Sequence, residues 1–312
     1  MPEPDWPSSF DVHAAVRDRL LALLNEIGGP VADVSRSALS AKHGLLSDHP
    51  HSLTTVLVVG ACQCAGASWR AALWPAVGAE CMMASADLFD DAADADAAQP
   101  CSPAVLLTGA AGALSLASVA VVRVVDDGAS PRTAAALVEL LGGGFARAAN
   151  GQAANLQGTS VHQTDALAAY RQAGAKSGPL GELIARLGAR TATDDQQVVH
   201  LLGEFGRRLA VQSQLLNDAR DAAPDAEELK ADVRAGANTV PLAFSHSAGP
   251  PAGLTGEGLH AWEREERRRI AATGGLAAAN ALAEAERLHA VEILERLASL
   301  GRPVFGLRRL VQ

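Results

Sequence analysis

One ten-residue stretch of this sequence combines a helical pattern with a high density of carboxylates: residues 85–94 read Ser-Ala-Asp-Leu-Phe-Asp-Asp-Ala-Ala-Asp. At 3.6 residues per turn, its four aspartates fall within roughly a 100° arc of one helix face. Carboxylates this close repel one another unless a cation lies among them, and Mg²⁺ with oxygen ligands is the usual remedy. Apolar residues flank the stretch, which disfavours the alternative of a simple solvated acidic face. We call it the first acidic motif and expect it to bind metal.

A second stretch repeats this spacing later in the chain. Its oxygen-bearing side chains take the same angular positions on a helix as the four aspartates: Gln214, Asn217, Asp218 and Asp221. Two oxygen-rich faces on two apolar helices can hold metal ions between them, with a phosphate group as shared ligand. The two motifs together are therefore much more specific than either one alone. This stretch is called the second acidic motif below.

Composition favours a helical protein. Hydrophobic residues make up 48% of the 312 residues but aromatic residues only 4%, and strands prefer aromatic and β-branched side chains. We expect an all-α fold in which residues 1–312 form a single large helical bundle, because no linker divides the chain. The formal net charge of −9 argues against a nucleic-acid partner, which would require a basic surface.

Other features of the sequence predict a soluble, cytoplasmic protein. The uncharged run 104–122 nearly reaches the length of a membrane span, but its Ala, Gly and Ser content indicates a central helix of a bundle, so we expect no stable membrane insertion. The four cysteines show no zinc-like spacing and are expected to be reduced and buried. The first residues lack the basic and apolar regions of a signal peptide.

Apolar periodicity predicts the helices. They are expected over residues 11–25, 31–42 and 53–64, from 69 through the first acidic motif, from 131, from 164, and over 194–221, 258–273 and 277–300. Residues 228–241 are interpreted as a polar loop. The Glu- and Arg-rich helix 258–273 is interpreted as a solvated face with ion pairs four residues apart.

The chain has only three lysines, and two of them lie in motif-like segments. Lys176 lies among small residues in Ala-Lys-Ser-Gly, where a ligand can approach the backbone closely and the lysine can supply charge. Lys230 lies in the polar segment 228–241, together with Arg234. This placement favours a functional role for both lysines.

Taken in order, several segments resemble the trans-polyprenyl diphosphate synthases, most closely a bacterial branch that includes the ComQ-like peptide prenyltransferases. The likeness spans about residues 53 to 245. The matching segments are Cys-Gln-Cys-Ala-Gly at 62–66, Asp-Asp-Ala-Ala-Asp at 90–94, Gly-Gln at 151–152, Lys-Ser-Gly at 176–178, the second acidic motif, and residues 228–241.

The resemblance implies an all-α bundle around a central cavity, an allylic prenyl diphosphate substrate, three Mg²⁺ ions and a homodimer. It implies metal ligands at Asp90, Asp91, Asp94, Asn217, Asp218 and Asp221. Asp90, Asp91, Lys176 and Asp218 would be catalytic. The substrate would contact Gln152, Lys176, Gln214, Lys230, Arg234, Phe89 and Met82, of which the lysines and Arg234 would neutralise phosphate oxygens. Met82 would limit the length of the prenyl chain, which predicts a preference for C15 or C20 substrates.

The sequence departs from this family at the second substrate. Members that condense with isopentenyl diphosphate carry a basic segment upstream and an arginine pair after the first motif, but no Lys or Arg occurs here from Ala71 to Val122. The family's Gly-Lys is Gly236-Ala237 in this chain. We therefore expect an enzyme that ionises the allylic diphosphate and cyclises it, eliminates a proton or uses another acceptor. A chain-elongating synthase and a non-catalytic partner subunit are the alternatives.

One further departure lies in the second acidic motif, where Asn217 replaces the family's usual aspartate. Asn217, Asp221 and Asp225 have the spacing of the metal triad in class I terpene cyclases. Pro224 is expected to break the helix before Asp225, which counts against such a triad. The scarcity of aromatic residues also counts against cyclisation, since cation–π stabilisation normally uses them.

Overall fold

The computed structural model describes residues 8–41, 44–47, 51–94, 101–158, 165–225 and 232–312. Within these ranges the chain forms α-helices and short 3₁₀ segments and no β-strand, which confirms the all-α prediction. The α-helices are α1 Ser9–Ile27, α2 Gly29–Ala41, α3 Leu53–Ala65, α4 Leu73–Asp94, α5 Pro103–Val122, α6 Pro131–Gly158, α7 Ala166–Ala192, α8 Gln196–Asp221, α9 Asp232–Ala235, α10 Val240–Phe244, α11 Gly256–Ala272, α12 Gly275–Ser299 and α13 Phe305–Arg308.

The helix boundaries follow local capping chemistry. Ser52 caps α3 by accepting a hydrogen bond from the backbone N–H of Thr55, and Gly66 ends the helix with a φ of 108°. A short 3₁₀ helix, Trp69–Ala72, precedes α4, so the helix that bears the first motif starts four residues later than expected. Two short helices, α9 and α10, replace part of the polar loop expected over residues 228–241.

The chain divides into two compact units built from alternating segments. Unit 1 comprises Met1–Phe145, Leu183–Glu204 and Ile293–Gln312, and unit 2 comprises Ala146–Glu182 and Phe205–Glu292. The first acidic motif belongs to unit 1, and the second belongs to unit 2 together with Lys176. The organisation of residues 1–312 as a single domain stays a prediction.

In unit 1, α4 packs against α1, α2, α3 and α5. The buried Glu80 side chain anchors α4 to the start of α3, because its Oε1 accepts hydrogen bonds from the hydroxyls of Ser52 (2.5 Å) and Thr55 (2.6 Å). His13 of α1 joins this cluster through its Nε2, which accepts the backbone N–H of Ser52 at 2.9 Å. These contacts fix the middle of the helix that carries the first motif at its end.

In unit 2, two apolar clusters hold α8. The larger cluster packs Leu215 and Ala219 of α8 against α7, α10 and α12, and the smaller one contains Ala222, Val233, Leu242 and Ile270. Buried apolar residues on one side of α8 leave the second motif on the adjoining side. About two turns before the motif, α7 and α8 approach closely, since a Cβ on Gly181 would lie 2.2 Å from the carbonyl oxygen of Gly206.

The expectation that α11 presents a solvated charged face is wrong at two positions. Glu263 and Arg267 have 0% and 1% of their surface exposed, and they form an ion pair of 2.9 Å four residues apart. Both lie on the same stripe of the helix as the buried Ile270. A buried pair is tolerated because each charge has a partner. The rest of the run fits the expectation, as the exposed pair Glu265–Arg268 shows.

Among the described residues, the segment Pro103–Val125 is long and apolar enough to cross a bilayer, and 44% of its most apolar window is buried. A buried core helix gives the same signal, so the absence of membrane insertion stays a prediction. The cysteines are free, as expected, but Cys101 is partly exposed and not buried. Burial raises the pKa of the Cys62, Cys64 and Cys81 thiols to about 12, so these thiols are protonated and inert.

Candidate functional site

The first acidic motif occupies the last turns of α4, as the sequence predicts. Asp90 and Asp91 are half-buried, and Asp94 is the final helical residue. Because Leu88 on the same helix is buried in the core, the face that carries the aspartates is held in a fixed orientation. The backbone therefore places the three expected metal ligands within about one turn of each other.

An apolar surface precedes these aspartates on α4. Met82 is fully buried, and Phe89 lies with its ring centroid 6.3 Å from that of Phe145 in a tilted arrangement. Ser85 is also fully buried, and its hydroxyl has no hydrogen-bond partner among the described residues. The positions one and two turns before Asp90 therefore hold small residues and Met82, and their role in a substrate pocket stays a prediction.

The second acidic motif is more deeply buried than the first. Asp218 and Asp221 have 5% and 7% of their surface exposed, whereas Gln214 and Asn217 are half-buried. The aspartates are buried because the neighbouring positions Leu215, Ala219 and Ala222 are held in the apolar clusters. Burial of carboxylates is costly and requires compensating contacts.

Hydrogen bonds orient the oxygens of the second motif. Gln214 Nε2 donates to Asp218 Oδ1 at 2.7 Å, while Gln214 Oε1 accepts the Ser177 hydroxyl at 2.9 Å. One turn further, Asn217 Nδ2 donates to Asp221 Oδ2 at 3.3 Å. The amide residues of the motif thus hold the carboxylates in place, and Ser177 links α7 to them.

The electrostatics of Asp218 reveal a shortage of positive charge. Burial raises the pKa of Asp218 to about 7, and the nearby carboxylates of Asp232 and Asp221 act in the same direction. The hydrogen bond from Gln214 and the ammonium group of Lys176 lower this pKa, but they do not offset burial. The structure therefore brings Lys176 into electrostatic contact with the second motif, which the sequence alone does not show.

Lys176 lies in α7 just before an internal proline. Pro179 has no N–H to donate to the carbonyl of Ala175, four residues earlier, so that carbonyl lacks its usual helical partner. Gly151 of α6 faces it, and a Cβ at this position would lie only 2.1 Å from the Ala175 oxygen. The absence of a side chain at Gly151 therefore allows α6 and α7 to touch beside Lys176.

Amide side chains continue this contact away from Lys176. Gln172 Oε1 accepts from Asn238 Nδ2 at 2.6 Å, and its Nε2 donates to Asn155. Gln152, one turn before Asn155, has a buried Oε1 without a hydrogen-bond partner among the described residues. A diphosphate brings acceptor oxygens only, so it would bind the amide N–H₂ of Gln152 and not this oxygen, and the substrate contact of Gln152 stays a prediction.

Of the other two expected phosphate-binding residues, Lys230 and Arg234, the structure describes only Arg234. Lys230 lies outside the described residues. The Nε of Arg234 is 2.9 Å from Glu263 Oε2, and the Arg234 side chain keeps 32% of its surface exposed. Arg234 is therefore partly neutralised by Glu263, so its capacity to offset phosphate charge is smaller than the sequence indicates.

The chemistry of the residues themselves decides whether Mg²⁺ fits the second acidic motif. Among the described side chains, no group of three His, Cys, Asp or Glu is arranged to hold a metal ion. Mg²⁺ needs fewer protein ligands, because it binds through one or two carboxylates plus phosphate oxygens and water. Asp218 and Asp221 supply two hard carboxylates, and the raised pKa of Asp218 indicates that a cation would be favourable there. The residues of the second acidic motif therefore suit the binding of Mg²⁺.

Sequence reasoning missed three residues of this region. Asp232 raises the pKa of Asp218, and Glu263 and Arg267 form a buried pair beside the end of α8. The spacing of Glu263, Arg267 and Ile270, at positions i, i+4 and i+7, was the available signal for a buried stripe in α11. The many charged residues around this stripe made the whole run resemble a solvated helix face.

Neither a protein-family model nor a curated protein sequence matches this chain. Solved structures do. The geranylgeranyl pyrophosphate synthetase of Pyrococcus horikoshii has a TM-score of 0.79 at 18% identity, with 97% of this chain and 95% of that chain covered. For the polyprenyl synthetase of Streptomyces coelicolor the TM-score is 0.77 at 18% identity, with coverage of 96% and 97%.

A third structure, the polyprenyl synthase of Caulobacter crescentus in complex with calcium and isoprenyl diphosphate, has a TM-score of 0.66 at 19% identity, with coverage of 95% and 94%. The three likenesses extend over nearly the whole length of each chain, whereas their identities are too low to carry more than architecture. They confirm the predicted resemblance at the level of the fold. This chain has the all-α fold of the polyprenyl and geranylgeranyl diphosphate synthases.

Proposed function

We propose that this protein is a Mg²⁺-dependent enzyme that ionises an allylic prenyl diphosphate of C15 or C20 length. The observation that carries the proposal is the charge cluster of unit 2, in which Asp221, the partly buried Asp232 and the ammonium group of Lys176 all act on the buried Asp218. A buried carboxylate cluster with one lysine suits a ligand that brings both metal ions and phosphate oxygens. The shared fold adds support, because the three structures named above are those of prenyl diphosphate synthases.

Each expected residue has a role in this proposal. Mg²⁺ would be held by Asp90, Asp91, Asp94, Asn217, Asp218 and Asp221, and when bound it supplies charge neutralisation for the departing diphosphate. Lys176 places its ammonium group against the same diphosphate oxygens, with Lys230 and Arg234 as further cations. Met82 and Phe89 exclude water from the prenyl chain. Three ions, two motifs acting on one substrate, a homodimer and a cytoplasmic location are all parts of the proposal.

For the fate of the cation, we propose a route that does not use isopentenyl diphosphate. A second diphosphate next to the first costs about 4 kcal/mol per pair of charges at 4 Å and an effective dielectric of 20, so protein cations must accompany it. The chain lacks lysine and arginine from Ala71 to Val122. Arg19 and Arg123 do contact α4, but they stack on Trp74, about 24 Å along the helix from Asp90.

Chain elongation is the second candidate function. The names of the similar structures favour it, since a geranylgeranyl pyrophosphate synthetase is among them. The names do not support a cyclising enzyme. Elongation requires cations for isopentenyl diphosphate from positions other than those the sequence resemblance indicates.

Product analysis with purified protein separates these candidates. Geranyl, farnesyl and geranylgeranyl diphosphates are each incubated with Mg²⁺, with and without isopentenyl diphosphate, and a chelator serves as the control. We expect allylic substrate to be consumed at the same rate in both arms, with no lengthened product. A C5-extended diphosphate formed at a comparable rate would establish elongation instead. No consumption of any allylic substrate would favour the third alternative, a non-catalytic partner subunit.

A further inference from the structure

A buried ionic chain runs from α9 through α11 to the end of α8, entirely within unit 2. Arg234 Nε lies 2.9 Å from Glu263 Oε2, and Arg267 Nη2 donates to Glu263 Oε1 at 2.9 Å. Arg267 Nη1 donates to the backbone carbonyl of Asp221 and, at 3.3 Å, to that of Ala223. The chain therefore ends on the last turn of the helix that bears the second acidic motif.

This contact is a helix cap made by a buried guanidinium. The last carbonyls of an α-helix have no partner within the helix, and a positive charge beside them is favourable because of the helix dipole. Here the carbonyl that Arg267 binds belongs to Asp221, an expected metal ligand, and Asp218 lies three residues earlier. The position of Arg267 therefore fixes the backbone from which both carboxylates project.

The arrangement is expensive for the folded protein, which points to a function beyond stability. Arg267 has 1% of its surface exposed, and its Nε is buried without a hydrogen-bond partner among the described residues. Replacing a buried ion pair with apolar residues is often neutral or stabilising, so burial of Glu263 and Arg267 is poorly explained by stability alone. What the pair supplies is a rigid directional contact to one helix end.

We infer that Arg267, held by Glu263, is a positioning residue for the second acidic motif. It acts through the backbone of Asp221 and touches neither substrate nor metal ion. The inference rests on the proposed function, because it concerns how well the motif binds Mg²⁺ together with a diphosphate. Supporting shells of this kind typically change metal affinity by about 10- to 100-fold when they are disrupted.

The test compares Arg267→Lys with Arg268→Lys. The neighbouring Arg268 is an ideal control, since it lies on the same helix but pairs at the surface with Glu265 and keeps 67% of its side chain exposed. Calorimetry measures the binding of Mg²⁺ with inorganic pyrophosphate, without turnover, and thermal melts report folding. We expect Arg267→Lys to weaken binding about tenfold, because a lysine cannot bond Glu263 and the helix end together. Arg268→Lys is expected to bind as the wild type does.

Three results would decide against the inference. A melting temperature that falls in Arg267→Lys while the dissociation constant stays at the wild-type value would mean a purely structural role. If Arg267→Lys does not fold, Glu263→Gln takes its place, and unchanged binding in that variant would overturn the inference as well. A wild-type protein that binds no Mg²⁺ and pyrophosphate would remove the proposed function itself, which separates that failure from the other two.

Discussion

The two acidic motifs have the same spacing but opposite environments. Asp90 and Asp91 at the end of α4 are half-buried, whereas Asp218 and Asp221 at the end of α8 are almost completely buried and held by amide side chains. Water can solvate the first pair in the absence of metal, but it cannot solvate the second to the same extent. The folded protein therefore bears a larger electrostatic cost at α8, which a bound cation would relieve.

The largest effect is expected from removing ligands of the first motif. Asp90→Ala or Asp91→Ala should lower the rate of allylic diphosphate consumption at least about 10²-fold, because charge on the departing diphosphate loses its metal clamp. Circular dichroism should show unchanged helicity, since these side chains are half-solvated. Asp126→Asn, at an exposed position after α5, is the control. Near-normal activity in either alanine variant would contradict the metal-binding role of α4.

Asp218→Asn should show how the two motifs differ, because it should lower activity and at the same time stabilise the metal-free protein. Activity should fall about as strongly as in the α4 variants, yet the metal-free protein should be more stable than the wild type at pH 8, because the buried charge is gone. Asp91→Asn should bring no such gain. Thermal melts in a chelator test this. Equal melting temperatures for Asp218→Asn and the wild type would mean that the second motif has no larger electrostatic cost than the first.

The same residue predicts a pH dependence. The pKa of Asp218 is raised from 3.8 to about 7 in the folded, metal-free protein, so the folded state binds this proton more tightly than the unfolded state does. The tighter proton binding stabilises the folded state fully below about pH 4. This stabilisation declines between about pH 4 and pH 7 and is lost above pH 7. The total loss in the free energy of unfolding is about 4 kcal/mol at most. Denaturant titrations in chelator should show this decline in the wild type relative to Asp218→Asn. Saturating Mg²⁺ at pH 8 should reduce the difference.

A smaller effect is expected at the apolar surface before the first motif. Met82→Ala shortens a fully buried side chain two turns before Asp90 and should shift kcat/KM toward longer allylic chains by about tenfold, because the vacated space admits further methylene groups of the chain. The wild-type enzyme should prefer C15 or C20 over C10. Competition assays with mixed chain lengths measure the ratio. A wild-type preference for C10 would refute the placement of Met82 at the end of the pocket.

The smallest effect is expected from Ser177→Ala. Its hydroxyl donates to Gln214 Oε1, and the amide of Gln214 in turn orients Asp218. Loss of one neutral hydrogen bond of about 1 kcal/mol should raise the Mg²⁺ concentration for half-maximal activity by about threefold to fivefold. Ser213→Ala, at an exposed position on α8, is the control. An unchanged Mg²⁺ requirement would show that α7 does not help to orient the second motif.

Local patterns predicted much of the fold. The helical spacing of apolar residues gave α1, α3, α6 and α8 to within a few residues, because 3.6-residue periodicity and capping residues are local properties. The same spacing placed the second motif on one face of α8. The charged run of α11 was misjudged at Glu263 and Arg267, since a composition of alternating charges does not reveal which stripe the tertiary structure buries.

The environment of the site could not be read from spacing. The electrostatic effect of Lys176 on Asp218 depends on how α7 and α8 pack, and the raised pKa of Asp218 depends on burial by residues distant in sequence. Arg234 belongs to the basic segment that the sequence indicates, but its partner Glu263 lies 29 positions later in the chain, so local spacing could not reveal the ion pair. Whether the two motifs share metal ions stays a prediction.

The contact between Gly151 and the Ala175 carbonyl also fixes the register of two helices. Sliding α6 along α7 by one turn, about 5.4 Å, would bring Arg147 or Asn155 onto that carbonyl, and either residue has the Cβ for which no space exists. Gly151 therefore permits only one register of α6 against α7. Gln152 follows it directly on α6 and Lys176 follows Ala175 on α7, so their levels relative to each other are set by backbone atoms and survive any change of their own side chains.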